Sequence, residues 1–588
     1  MTTNNNKKDY AFRKAFESET NLQKYGCSAL SLFALSLYLR IEDIEEFAVN
    51  FITEGGNDKK VDICYLDEES KNLFIVQNYV AENWNKKSAP DKASDLNTAI
   101  AWLFSASIVN VPVGLQAKAI EIRKAIEEEN INHIELLYIH NCPESKNISS
   151  ELKTAADLLK DILLTLTQGT KNNIEISNRE IGINEIESLY KSRDSQIVID
   201  DWLEVPKDSN YLIENTEKWN AVLTTVPASW IRDLYQKHGD DLFSANYRGY
   251  LGSNKKEENI NNQIAKTANT EPENFWVFNN GITALTHDIK FTSRSRKIMG
   301  ISIINGAQTS GALGSTILAS ATKAKVLLRI ISCFSSYSID NIIQYNNTQN
   351  EIKPEDRRSK DQRQIQIQDD FAKYSIDYYY RRSTRKVTRT TITGKSLAPS
   401  LCAFHGDPDT AFRNPRKIYK DDETYEKVFP NNIKVEHMFL VRSLSLAIDQ
   451  IKQDLENRMA SGTATVQESK QYQLLRFTAS KHFLFYVVGF IAEEIMKTKI
   501  TNLYDWRCKP ELLIIDNVSL IDSWKKVLQA LLPQIIRKFE QVGPDSFYEI
   551  PRSTRLTREV TLDLKSIIAS LESSFRSQFI DLRKRSVI

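Results

Sequence analysis

Cysteine is scarce in this chain and widely scattered. The 588 residues include six cysteines, and no two of them form a Cys-x-x-Cys pair. Zinc knuckles and disulfide frameworks need closely spaced or numerous cysteines, so the sequence predicts neither. This usage fits a reducing, cytoplasmic setting best.

The chain also lacks a long apolar run and an excess of either charge. Its longest apolar run, HFLFYVVGFIA, ends at Glu493 and is far shorter than the ~20 residues that cross a bilayer. No apolar segment follows the lysines at the N-terminus, so no secretory signal and no membrane partner are predicted. With 77 Lys and Arg against 76 Asp and Glu, the net charge is +1. A nucleic-acid site must therefore be a local patch.

Several catalytic signatures are missing as well. The seven histidines form no HxxxH or HExxH pair, which argues against a histidine-based zinc site. The chain contains no GxxxxGK[ST] loop and no GxSxG elbow. A P-loop ATPase and an α/β-hydrolase are thereby excluded.

The hydrophobic pattern predicts three regions and a mixed α/β and α+β architecture. Residues 1–205 alternate helices with short apolar strands, which is typical of an α/β domain. Residues 206–430 predict a mixed α/β domain with Gly- and Asn-rich turns. Residues 431–588 have helical spacing throughout and predict a helical C-terminal domain.

Two oxygen-bearing side chains stand out in the first region. Asp62 lies on one predicted strand and Gln77 on the next, with a tight DEES turn between the strands. Adjacent strands bring such side chains together, and a carboxylate with a second oxygen ligand binds Mg²⁺. A metal in this place activates water and stabilises charge on a phosphate that is being cleaved. The alternative is that both are polar residues on half-exposed strands.

The middle region concentrates short amides and hydroxyls at predicted turns. Glycine allows close backbone approach there, and amides bind a base edge, a phosphate or each other. Arginines match phosphate oxygens, and the tyrosines at 378–380 suggest stacking on unpaired bases. A pocket for a nucleotide or a nucleic-acid end is the hypothesis, against the alternatives of ordinary turns, strand packing and a solvated charged face. The residues concerned are Arg248, Asn279, Asn280, Asn305, Gln308, Thr309, Arg381 and Arg382.

The N-terminal order of helix, strands, helix and strand around Asp62 and Gln77 resembles the PD-(D/E)XK nuclease superfamily. The resemblance implies a restriction-endonuclease-like fold in which Asp62 and Gln77 hold Mg²⁺, assisted by Asp58 or Glu17. The position of the family's lysine holds Tyr79. A lysine elsewhere, for example at 86 or 87, would have to replace it.

Five segments in order resemble the AIPR family, named for abortive infection and phage resistance. They are LFSANYRGYLG, the stretch ending in FWVFNNGIT, IINGAQTSGAL, YNNTQNEIKPEDRRSKD and YYYRR. The resemblance covers roughly 215–420 and adds Asn346 and Gln349 to the expected ligand-binding residues. It implies a defence protein of bacteria or archaea.

Three functions follow as hypotheses. The first is a metal-dependent nuclease of anti-phage defence that cleaves DNA or RNA. The second is an inactive nuclease fold that binds or senses nucleic acid or nucleotide through the central domain, which Tyr79 favours. The third is a scaffold whose helical C-terminus mediates self-association, as a homo-oligomer, or docks a partner.

Overall fold

A computed structural model of the chain defines its fold. It describes residues 10–588 apart from residues 40, 42, 54–58, 83, 85–89, 167–173, 195–196, 198, 208, 244, 246–262, 265, 293, 315–322, 334–341, 343–357, 359–360, 381–390, 515–516 and 544. The architecture is mixed α/β with a helical C-terminal region, as predicted.

Two compact units are assembled from separate stretches of chain. Unit 1 combines residues 1–15 with 185–352, and unit 2 combines 16–184 with 353–588. The domain boundaries that the sequence predicts near residues 205 and 430 stay a prediction.

Unit 2 contains a four-stranded sheet in the order β1-β2-β3-β4. The first pair is antiparallel, whereas β2, β3 and β4 run parallel. The strands are β1 Ile63–Asp67, β2 Asn72–Tyr79, β3 His133–His140 and β4 Glu175–Ile181. The helices in this part of the chain are α1 Ala11–Ser18, α2 Thr20–Gln23, α3 Ser28–Tyr38, α4 Ile44–Phe51, α5 Pro90–Ile100, α6 Val113–Glu127, α7 Lys146–Leu166 and α8 Ile183–Asp194. The boundary between the units falls within α1 and again within α8.

Both faces of this sheet are covered, which explains its nearly continuous apolar strands. One face packs residues such as Leu73 and Ile75 against α5, α6 and α7. On the other face the rings of Phe47 and Phe51 from α4 contact Tyr65, with ring centroids 5.1 and 4.5 Å away. The predicted strands at 61–66, 72–80, 133–141 and 172–181 are confirmed within a few residues.

Unit 1 is built on a seven-stranded sheet with the order β5-β10-β8-β11-β7-β6, and β9 pairs with β10. Only β8 and β11 are parallel among its pairs. The strands are β5 Ile199–Glu204, β6 Tyr211–Asn215, β7 Trp219–Pro227, β8 Ile282–Thr286, β9 Asp288–Phe291, β10 Arg296–Asn305 and β11 Lys325–Cys333. The helices are α9 Ala228–His238, α10 Phe275–Phe278 and α11 Ala307–Gly314.

The predicted strand into a Gly-Ala-Gln-Thr turn and helix is confirmed by β10 and α11. The hairpin of β6 and β7 was not predicted, because β6 is mostly exposed and shows little apolar alternation.

The rest of unit 2 is a helical region around one large apolar core that includes Trp506 and Trp524. Two long helices, Val435–Ala460 and Val518–Val542, confirm the helical prediction. In chain order the helices are α12 Gln362–Ala372, α13 Gly394–Phe404, α14 Pro408–Arg413, α15 Lys417–Lys420, α16 Asp422–Val428, α17 Val435–Ala460, α18 Val466–Arg476, α19 Ser480–Phe490, α20 Ala492–Met496, α21 Val518–Val542, α22 Ser546–Arg552, α23 Thr554–Ser570 and α24 Glu572–Arg585. Two small sheets join β12 Asp377–Tyr379 to β13 Thr391–Thr393 and β14 Arg507–Cys508 to β15 Ser586–Val587. In the described part of the chain, no helix combines the length and apolarity that a bilayer crossing requires.

Candidate functional site

The first candidate site lies at one edge of the sheet in unit 2. Asp62 directly precedes β1, and Gln77 lies near the end of β2. The register pairs Ile63, the residue after Asp62, with Val76, the residue before Gln77. Asp62 and Gln77 thus lie at the same end of the β1–β2 pair, and their partnership as metal ligands stays a prediction.

Hydrogen bonds hold Asp62 against the end of β2. The backbone N–H of Asn78 donates to Oδ2 of Asp62 at 2.6 Å. The backbone N–H of Asp62 itself donates to the carbonyl of Val76 at 3.1 Å. The carboxylate is therefore fixed beside the peptide that follows Gln77, and both residues are only 6% exposed.

The side-chain amide of Gln77 is only half satisfied. Its Nε2 donates to the carbonyl of Asn78 at 3.2 Å. Its Oε1 is buried and accepts no hydrogen bond. A buried acceptor without a partner costs about 1–3 kcal/mol.

The lysine position of the nuclease pattern holds an aromatic ring. Tyr79 follows Gln77 by two residues, so strand alternation puts both on the same face of the sheet. Tyr79 packs against the core on that face. The lysines at 86 and 87 lie outside the described residues. The ammonium groups of the described chain nearest to Asp62 in sequence are those of Lys59 and Lys60.

The backbone of this lysine pair is strained. Lys59 and Lys60 have φ angles of +54° and +71°, a left-handed conformation that costs non-glycine residues about 1–3 kcal/mol each. Nζ of Lys60 lies 3.4 Å from Oδ2 of Asp95 on α5. Nζ of Lys59 lies 4.8 Å from the ring centre of Trp102. Two cations are thus held in the segment that leads into Asp62.

A histidine–carboxylate pair at the same edge was missed by sequence reasoning. His140 ends β3 and pairs in register with Tyr79. Its Nδ1 accepts from the backbone N–H of Cys142 at 3.1 Å, so Nε2 carries the proton and donates to Glu180 at 3.0 Å. The N–H of Ser145 also donates to Glu180. The only sequence signal is a histidine at a strand end, because the partner lies forty residues away.

The two residues predicted to assist, Glu17 and Asp58, stay predictions. Glu17 is exposed on α1, and Asp58 lies outside the described residues. Within the described chain, no three or more His, Cys, Asp or Glu side chains are arranged to hold a metal ion. Asp62 and Gln77 lie at this edge of the sheet and supply a carboxylate and an amide oxygen, and their role as Mg²⁺ ligands stays a prediction.

The second candidate site is a polar cluster in unit 1. Nδ2 of Asn279 donates to Oγ1 of Thr309 at 3.0 Å, and Oδ1 of Asn279 accepts from the N–H of Gly281 at 2.9 Å. Two of the predicted motifs, Asn-Asn-Gly and Gly-Ala-Gln-Thr, are thereby joined. They lie 30 residues apart in sequence.

Two glycines allow this close approach. Gly281 and Gly306 have φ angles of +80° and +95°. A Cβ on Gly281 would lie 2.6 Å from the carbonyl oxygen of Leu327, and one on Gly306 would lie 2.9 Å from that of Gly281. Any larger residue would push the two segments apart.

A row of polar residues continues from the cluster across three strands. Asn305 at the end of β10 pairs with Thr283 on β8, which pairs with Arg329 on β11. Nη2 of Arg329 donates to Oγ1 of Thr283 at 3.2 Å. Arg329 is exposed and was not among the predicted residues. In the sequence, Arg329 lies within the apolar segment KVLLRIISC, so no local pattern marks it as a binding residue.

The other predicted binding residues have different outcomes. Asn280 and Gln308 are exposed, as expected of ligand contacts. The stacking expectation is wrong for Tyr378, because it is buried in the helical core and its hydroxyl donates to Gln364 at 2.8 Å. Five predicted residues lie outside the described residues, namely Arg248, Asn346, Gln349, Arg381 and Arg382.

Comparison with known proteins bears on the second cluster. The model of one family, described as AIPR protein, matches residues 243–547, more than half of the chain. The chain belongs to the AIPR family. The matched range contains the Asn279–Thr309 cluster and most of the helical region, so the AIPR match extends beyond the motifs that the sequence resemblance rests on. No curated protein and no solved structure matches this AIPR protein.

Membership in the AIPR family indicates an anti-phage role of the abortive-infection type. The match begins after the sheet of unit 2 and leaves Asp62 and Gln77 outside it. The chemistry of that sheet edge therefore has to be argued from its geometry.

Proposed function

We propose that this AIPR protein is a metal-dependent nuclease of anti-phage defence whose active site is the sheet edge at Asp62 and Gln77. The observation that carries the proposal is the buried Oε1 of Gln77, which accepts no hydrogen bond, while the N–H of the next residue, Asn78, fixes the carboxylate of Asp62. A divalent cation bound by this oxygen offsets the cost of burying it without a hydrogen bond. The restriction-endonuclease-like fold is part of the same proposal.

The residues of the chain divide the work. Asp62 and Gln77 hold one Mg²⁺, and the hydrogen bond from Asn78 fixes the carboxylate before the ion binds. Mg²⁺ supplies positive charge that stabilises the phosphate during hydrolysis. Lys59 or Lys60 offers the ammonium group that Tyr79 lacks, and the strained backbone before Asp62 fits a functional role.

The decisive variant is Asp62→Asn, which removes the charge but keeps an oxygen to accept from Asn78. We expect at least a hundredfold slower cleavage of plasmid DNA or RNA with Mg²⁺ and a melting temperature within a few degrees of wild type. Mn²⁺ binding, measured by electron paramagnetic resonance, should weaken in parallel. Lys60→Met should slow cleavage without weakening Mn²⁺ binding.

Asp67→Asn is the matched control, because Asp67 lies at the opposite end of the same strand and bonds only its own turn at Glu69 and Ser70. Cleavage at wild-type rates by the Asp62→Asn protein would remove this edge as the active site.

A second function is favoured by Tyr79 and by the low exposure of the sheet edge. Strand β2 holds Tyr79 where the nuclease pattern has a lysine, and Asp62 accepts a hydrogen bond from Asn78. Both features suit a protein that binds nucleic acid or nucleotide without cutting it. The polar cluster of unit 1 would then be the binding site. Binding that survives a chelator, with no cleavage under Mg²⁺ or Mn²⁺, supports this function over the first.

A further inference from the structure

A short ridge of large apolar side chains stands on the surface of unit 1. In α10, Trp276, Val277 and Phe278 are 48%, 72% and 66% exposed. Phe275, the first residue of the helix, is buried in the core of unit 1 and anchors it. Adjacent exposed aromatic residues are unusual on a folded surface and mark a contact for something else.

The ridge leads directly into the polar cluster. Asn279 follows Phe278 and is held by Thr309 at 3.0 Å. The neighbouring amides of Asn280 and Gln308 are exposed. Side-chain amides offer donors and acceptors together, which matches the edge of a nucleobase.

Positive charge lies on the strand beside the ridge. Lys325 and Arg329 are exposed on β11 and share one face, because they are four residues apart on a strand. Leu327 lies between Lys325 and Arg329 on β11, and Gly281 of the polar cluster packs against it. Glu271 and Glu273 are exposed before the ridge, so the charge is positive only on its β11 side.

We propose that this surface, made of Trp276, Phe278, Asn280, Gln308, Lys325 and Arg329, binds unpaired nucleotides of single-stranded nucleic acid. The rings stack on bases, the amides contact base edges and the cations contact phosphates. The proposal rests on the second function above and names its ligand. A protein partner fits less well, because the aromatic rings and amides match the face and edge of a base and the cations match a phosphate.

The test measures fluorescence anisotropy of labelled 20-nucleotide single strands, dT and rU, with the full-length protein in EDTA. Base stacking contributes about 1–3 kcal/mol per base, so Trp276→Ala with Phe278→Ala should weaken binding at least tenfold. Trp276→Phe keeps an aromatic face and should retain binding within about threefold. A duplex of the same length should bind at least tenfold more weakly than the single strand.

Trp202→Ala is the control, because Trp202 is 42% exposed, much like Trp276, but lies on β5 and outside the proposed surface. Equal binding by wild type and the double variant overturns the proposal while leaving the second function standing. Absence of single-strand binding in wild type also overturns the proposal, and the second function falls with it only if the duplex and mononucleotides fail to bind as well. If light scattering shows that the double variant loses a dimer that wild type forms, the ridge is a contact between copies and the proposal is wrong. Cleavage through Asp62 is assayed separately with Mg²⁺.

Discussion

Asp43 illustrates how a single, partly buried carboxyl is tuned in this protein. It caps α4, where Oδ1 accepts from the N–H of Glu46 at 3.0 Å. Burial, together with the charge of Glu46, raises the pKa of Asp43 to about 6. The ionised carboxyl is therefore disfavoured in the folded state relative to the unfolded chain.

Asp43→Asn should stabilise the protein at neutral pH. Since the folded pKa lies above the unfolded value, wild type loses stability as the pH rises from about 4 to about 6. Asparagine keeps the cap without the charge, so we expect a gain of about 1–2 kcal/mol at pH 7.5. The gain should vanish near pH 4, as measured by thermal melts across this range. A gain that is equal at both pH values would contradict the titration.

At the scale of secondary-structure elements, helix packing in unit 2 depends on one glycine. Gly489 in α19 lets the helix approach α13 so closely that a Cβ would lie 2.1 Å from the carbonyl oxygen of Phe404. A backbone atom cannot move aside as the end of a side chain can. The sequence reads simply as an apolar helix at this point and gives no sign of the contact.

Gly489→Ala should destabilise unit 2 by about 1–3 kcal/mol, because overpacking forces the two helices apart. Gly114→Ala is a matched control in α6, where the nearest atom is the hydroxyl of Tyr472 at an ordinary 3.7 Å. Alanine should be neutral or slightly stabilising there. Chemical denaturation of both variants measures the difference, and similar stabilities would refute the packing argument.

At the scale of the whole molecule, buried charges join the sheet layer of unit 2 to its helical region. Nζ of Lys481 contacts Glu46 at 2.6 Å and Asp449 at 2.9 Å. Burial alone lowers the pKa of Lys481, but the two carboxylates outweigh it and raise that pKa above its ordinary value. A second pair, between Arg552 and Glu68 at 2.6 Å, connects residues 484 apart in sequence.

Lys481→Met should destabilise unit 2 by about 1–3 kcal/mol, because it leaves two partly buried carboxylates without their cation. Lys427→Met is the control, since Lys427 pairs with Glu423 on the surface and such pairs contribute about 0–1 kcal/mol. Urea denaturation at pH 7.5 compares the two. A loss for Lys481→Met no larger than the control would show that the pair is not a significant link.

The sequence by itself determined the local elements, the AIPR resemblance and the pairing of the two strands that place Asp62 and Gln77 at one edge of the sheet. Hydrophobic period, turn residues and strand alternation are local properties, and two strands joined by a four-residue turn must pair. Only the tertiary structure decided the His140–Glu180 pair, the exposure of Trp276 and Phe278 and the burial of Tyr378. These depend on contacts between residues far apart in the chain and on which face of an element becomes covered, and no local pattern encodes either.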